Sequence, residues 1–168
     1  PGETSENLSY LPVMTNQLKG YKTGSYEESF DEIVEYVDSH YRTIRKKEKR
    51  AVAGLSMGGF HSLFIALNHP EKFNYVGLLS AGLNTAFLDM TRPAYKDMEA
   101  KLKNFQKEGY DLFWIACGKD DFLYQNNLDF MKTCDNIGFE YTYHESERGH
   151  IWANWRQYLI LLTPMLFR

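Results

Sequence analysis

The chain has 168 residues, one domain's worth, and its 43% apolar and 15% aromatic content is enough for a sizeable core. Its net charge of −3 gives no electrostatic case for nucleic acid or an anionic membrane. No apolar run approaches the roughly 18 residues that span a bilayer, and no signal peptide is visible, although Pro1 is not a natural start.

Pro1–Gly24 has no clear period and reads as loop. Ser25-Tyr26-Glu27-Glu28 has the form of a capping box, with Ser25 as N-cap. The helix it opens places Phe30, Ile33, Val34, Val37 and Tyr41 on one face. Arg42–Arg50 is a basic run that reads as a solvated linker rather than an anion patch. A strand over Arg50–Leu55 leads into a glycine-rich turn and a helix to Leu67, which Pro70 keeps from continuing. Tyr75–Ser80 reads as a buried strand and Ala81–Arg92 as loop with helix-like stretches. Pro93–Lys107 reads as a helix with Pro93 in its first turn. Leu112–Cys117, LFWIAC, is a third strand, followed by the turn Gly118–Asp121. A helix over Tyr124–Ile137 ends at Gly138, where a C-terminal glycine cap belongs. Phe139–His144 is a fourth strand whose weaker alternation suits a sheet edge, and Trp152–Leu166 a last helix. Cys117 and Cys134 read as buried free thiols rather than a disulfide.

Strands that alternate with helices predict an α/β fold, a parallel sheet with right-handed crossovers. Such sheets carry their active site at the carboxyl ends of the strands. Gly54-Leu55-Ser56-Met57-Gly58 fits G-x-S-x-G, the nucleophile elbow between a strand and a helix. The pattern alone is weak; the flanking strand and helix give it weight. Both glycines are expected because the turn crowds the backbone. Ser56 would stand at the apex, and the Met57 N–H would face a developing oxyanion.

Asp120 and Asp121 both follow the third strand, and either also has a purely structural use as a helix cap. Five histidines compete for the role of base. His40 ends a helix, His61 lies too far round its helix to face Ser56, His69 precedes Pro70, and His144 is still on a strand. His150, next to Gly149 in the loop beyond the last strand, is the one able to swing over Ser56. The order Ser, Asp, His is that of α/β-hydrolases. Neither histidines nor cysteines cluster as metal ligands, so no metal and no cofactor are expected.

With these residues the chain resembles the family-one carbohydrate esterases, the feruloyl and acetyl xylan esterases, with the broader esterase-D-like group behind them. The carriers are AGLSMGG, LLSAGLNT, whose last six residues are Ser80–Thr85, ACGKDD at Ala116–Asp121 and GHIWANW at Gly149–Trp155. The resemblance runs from about Tyr26 to the carboxyl terminus. It puts the nucleophile on Ser56, the base on His150, one oxyanion donor on the Met57 amide, and the acid at the last place of G-x-x-D, which favours Asp121 over Asp120. Family members usually carry about four more strands upstream, with the second oxyanion donor and part of the pocket. The 168 residues therefore read as the carboxyl-terminal half of one hydrolase domain, residues 1–24 loop and 25–168 core. The elbow strand would then leave an apolar edge unpaired unless a missing N-terminal segment or another chain completed the sheet.

The resemblance implies a serine ester hydrolase acting on feruloyl or acetyl esters of xylan, secreted or periplasmic. Trp152 and Trp155 are candidates for stacking on a phenolic acid or sugar ring, or for anchoring the last helix. Other expectations on the same residues are an acyltransferase, a siderophore esterase, a thioester hydrolase, or a non-catalytic fragment that binds carbohydrate or a partner.

Overall fold

The computed structural model describes residues 24–84 and 88–168; the loop expected over residues 1–23 and the middle of the one after the second strand lie outside them. Four strands form one sheet: β1 (Ala51–Leu55), β2 (Tyr75–Leu79), β3 (Leu112–Gly118) and β4 (Thr142–Ser146). All neighbours are parallel, and the spatial order β1-β2-β3-β4 is the chain order. The six α-helices among the described residues are α1 (Ser25–Glu28), α2 (Phe30–His40), α3 (Met57–Asn68), α4 (Met98–Glu108), α5 (Tyr124–Ile137) and α6 (Trp152–Leu162).

The alternation of side chains along the strands splits the core in two. One face carries Val52, Val76, Leu78, Phe113 and Ile115 against apolar residues of α3, α4 and α5. Phe60, Phe64 and Tyr95 pack there with ring centroids 4.8–5.6 Å apart. Each such buried side chain contributes about 1.5–3 kcal/mol. The other face carries Tyr75, Leu79, Leu112, Trp114 and Ala116 against Tyr158 and Leu162 of α6. Strands β2 and β3 are buried along their whole length, as the unbroken apolar runs YVGLL and LFWIACG require.

Several elements depart from the sequence reading. No capping box forms: Gly24, at φ 74°, is the N-cap, Ser25 is already helical, and the chain breaks at Ser29 between α1 and α2. The apolar stripe of α2 is not buried, with Ile33 42%, Val37 38% and Tyr41 65% exposed. Helix α4 starts at Met98, not Pro93, because Asp97 in the left-handed region precedes it. Strand β4 starts at Thr142, not Phe139, because the chain first turns over the cap at Gly138 and buries the Phe139 ring in the core. Helix α6 stops at Leu162, and Thr163–Met165, which holds Pro164, continues as a 3₁₀ turn. Cys117 and Cys134 are free and buried, and burial pushes both thiols up to about 12.

Candidate active site

Ser56, Asp121 and His150 follow the carboxyl ends of β1, β3 and β4. Ser56 has φ 57° and ψ −117°, a region costly for a residue with a side chain, by about 1–3 kcal/mol. Its backbone is fixed from several directions. Its N–H donates to the Leu79 carbonyl at 2.9 Å, and its own carbonyl accepts from Gly59, Phe60 and Gly82 at 2.9–3.2 Å. A Cβ on Gly54 would come within 2.0 Å of the Gly58 carbonyl oxygen, and one on Gly59 within 2.6 Å of the Ala81 Cβ. At Gly58 a Cβ meets nothing within 4 Å among the described residues. The crowding expected at Gly54 and Gly58 therefore falls on Gly54 and Gly59. Met57 is the first residue of α3, so its N–H is one of the four that helix geometry leaves without an intrahelical acceptor.

The turn after β3 and the loop after β4 lie against each other. Lys119 and Asp120 donate their N–H groups to the carbonyls of Ser146 and Arg148, at 2.8 and 3.1 Å. Gly118 permits this approach, since a Cβ there would stand 2.1 Å from the Arg148 carbonyl oxygen. Asp120 faces solvent, whereas Asp121 is 4% exposed. The Asp121 carboxylate accepts the Leu123 N–H at 2.9 Å and faces His150 Nδ1 at 2.9 and 3.1 Å. An ionised carboxylate only accepts, so Nδ1 carries the proton and Nε2 of the neutral ring is left as acceptor. Ser56 Oγ lies 3.0 Å from Nε2 and donates to it. The structure thus brings Ser56, His150 and Asp121 into one hydrogen-bonded line and leaves Asp120 outside it.

Trp155 is partly buried. Its indole N–H donates to Ser80 Oγ at 3.3 Å, and its ring meets the His150 imidazole edge to face at 4.9 Å. It is a wall behind His150 rather than an open surface. Trp152 is 66% exposed. The other histidines are elsewhere. His40 is exposed beside Tyr36, His69 pairs with Asp31 at 3.1 Å, and His144 stacks on Trp114. His61 is buried, 2.5 Å from Glu27, whose carboxylate also accepts from Tyr95 at 3.1 Å. This polar cluster ties α1 to α3, and no sequence signal announces it. Ser80, buried at φ 44° after β2, is a second residue whose position the sequence did not disclose, although it stands inside the quoted LLSAG. Among the described residues no three His, Cys, Asp or Glu side chains are grouped as metal ligands.

The family model named Esterase matches residues 7–165. An acetyl esterase of Caldicellulosiruptor saccharolyticus is 29% identical, covering 77% of this chain and 58% of that protein. An endo-1,4-beta-xylanase/feruloyl esterase of Xylanibacter ruminicola is 41% identical over 75 residues, 41% of this chain and 10% of that protein. Among solved structures, the S-formylglutathione hydrolase FrmB from Staphylococcus aureus superposes with a TM-score of 0.68 at 28% identity, covering 88% of this chain and 65% of that one. The chain thus spans less than two thirds of the length of the acetyl esterase and of the hydrolase. It belongs to the Esterase family, and its parallel sheet flanked by helices is an α/β-hydrolase fold, seen here in part.

Proposed function

We propose that this Esterase-family chain carries the reacting residues of a serine carboxylic-ester hydrolase. The observation behind the reading is the hydrogen-bonded line from Ser56 through His150 to Asp121, with Ser56 in a strained conformation at a helix start. Ser56 Oγ attacks the ester carbonyl as His150 Nε2 takes its proton. The carbonyl oxygen becomes an oxyanion in front of the Met57 N–H. When the tetrahedral intermediate collapses, the C–O bond to the alcohol breaks and His150 returns the proton to the leaving oxygen. Asp121 keeps Nδ1 protonated and stabilises the imidazolium. Water then attacks the acyl-enzyme by the same route, and Ser56 is released with the carboxylic acid.

The names of the relatives favour acetyl or feruloyl esters, including those of xylan, as substrates. The likeness to an S-formylglutathione hydrolase favours a second reading, a thioester substrate for the same machinery. A fluorophosphonate probe, which reacts with an activated serine, tests the core of the proposal. It should label the wild-type chain and not Ser56→Ala. Failure to label the folded wild type would leave a non-catalytic carbohydrate-binding or partner-binding fragment. Rates on methyl ferulate, 4-nitrophenyl acetate and an acyl thioester then rank the substrates.

We also propose that a further strand, supplied by polypeptide outside the 168 residues, pairs along the side of β1 that has no partner among the described residues. Clefts of about 660 and 500 Å³ flank that strand, lined by Phe30, Val34, Val52, Phe73 and Ser56 among others. The greater length of the relatives supports this reading. The 168-residue chain purified alone should self-associate and react slowly, about 10²–10³-fold below a completed form if one oxyanion donor comes with the added strand. A fully active monomer would overturn it.

A further inference from the structure

Asp121 turns inward to His150, and the next side chain, Phe122, is thrown outward. It is 74% exposed, yet its ring lies 4.7 Å from the imidazole of His150 at a tilt of 51°. The same imidazole meets Trp155 at 4.9 Å, and Trp155 meets Trp152 at 5.1 Å. Four rings thus run in contact, Phe122, His150, Trp155 and Trp152, with the catalytic imidazole inside the row and an exposed aromatic side chain at each end. Neither end is used by the proton relay. Large apolar side chains left in water beside a reactive group mark a binding surface more often than a core.

The direction of proton transfer says which part of an ester meets this surface. The carbonyl oxygen must turn to the Met57 N–H at the start of α3. The leaving oxygen must come within hydrogen-bonding reach of Nε2, because it collects its proton there. Rings packed on the imidazole therefore flank the alcohol and not the acyl group. We infer that Phe122, the exposed ring packed on the imidazole, forms the leaving-group subsite and selects esters of ring-shaped alcohols that present a flat apolar face. The two chemical sources are a pyranose, whose C–H face lies on an aromatic ring, and a phenol, whose ring stacks. This inference rests on the proposed hydrolase reading for its orientation of the ester. It goes beyond that reading in giving Phe122 a role on the alcohol side.

The test compares acetate esters that share one acyl group and differ in the alcohol: ethanol, a substituted phenol and methyl xylopyranoside. All pass through the same acetyl-enzyme, so differences in kcat/KM belong to the alcohol. In Phe122→Ala the ratio of kcat/KM for the ring esters to that for ethyl acetate should fall about tenfold, the scale of one lost apolar pocket contact. Phe122→Tyr should recover most of it. The phenyl and xylosyl arms tell which ring class the surface prefers. An unchanged ratio, or a loss that follows the acyl group in a series of methyl esters, would overturn the assignment. If the wild type hydrolyses none of these and takes no fluorophosphonate, the hydrolase reading fails, and the subsite is still decided by binding. Titration with free phenol or methyl xylopyranoside should give a saturable change in tryptophan fluorescence that Phe122→Ala weakens. No saturable change with either alcohol would overturn it as well.

Discussion

The two arms of the site stand on very different ground. Asp121 follows β3, which is buried at every position and paired on both sides. Ser56, the proposed nucleophile, follows β1, which pairs on one side among the described residues, exposes Ala53 and has one of its five residues buried. A strand in a parallel sheet is stable when both faces are covered and both edges paired. The Asp121 arm meets that condition; among the described residues the Ser56 arm does not. The strained Ser56 therefore follows the less supported strand, and it is held by its own turn and by one neighbour, its N–H on the Leu79 carbonyl of β2 and its carbonyl accepting the Gly82 N–H.

Removing the nucleophile should break the site without touching this contrast. Ser56→Ala is expected to lower turnover at least about 10⁴-fold while the circular dichroism spectrum and melting temperature stay close to wild type. A variant that keeps a tenth of the rate would remove Ser56 from the role. Next comes the acid arm. Asp121→Asn replaces an acceptor with a side chain that also donates, and so favours the wrong tautomer of His150. Turnover should fall on the order of 10³–10⁴-fold, against a few-fold for the solvent-facing Asp120→Asn. Greater damage from Asp120→Asn would reverse the assignment.

A smaller effect probes what holds the nucleophile arm. Gly54→Ala drives a Cβ into the Gly58 carbonyl and should cost about 1–3 kcal/mol or more in urea unfolding. Gly58→Ala meets open space in a helix and should be neutral or gain up to about 1 kcal/mol. Equal losses at both would mean that the turn, and not local crowding, demands each glycine. The smallest effect concerns the strands themselves. Backbone amides of β1 should exchange with deuterium well before those of β3 in the 168-residue chain, because an edge strand opens without the rest of the sheet. Equal protection would remove the asymmetry and show that β1 is covered in solution.

How much of this could be read from the residues follows from the kind of contact each feature depends on. Tyr75–Leu79 and Leu112–Gly118 were legible because strands buried on both faces appear as unbroken apolar runs. Ser56 and His150 were legible because a glycine-framed turn and a loop after a strand fix their place in the topology. The choice of Asp121 over Asp120 needed a resemblance, since adjacent residues in a turn differ only in the direction they point. The same blindness hid Phe122, whose outward turn is the other half of Asp121's inward one. Phe139 was misread because an apolar residue after a helix cap satisfies the core as well as one in a strand. The Glu27–His61–Tyr95 cluster joins residues up to 68 apart in sequence, and no periodicity records such a contact.

The identity between chain order and spatial order in the sheet has a consequence for how the molecule is made. Among the described residues each strand joins the one synthesised just before it, through a single helical crossover, so none of the four has to insert between two that are already paired. The sheet can extend from one side as the polypeptide leaves the ribosome, with β1 and β2 paired before β3 exists. On that schedule Ser56 takes its place early, and His150, 94 residues later in the chain, is the last of the three to arrive. A nascent or prematurely terminated chain then presents a serine with no base beside it. On the proposed reading, the final crossover completes the site, which makes chemical competence a late event in biosynthesis rather than a gradual one.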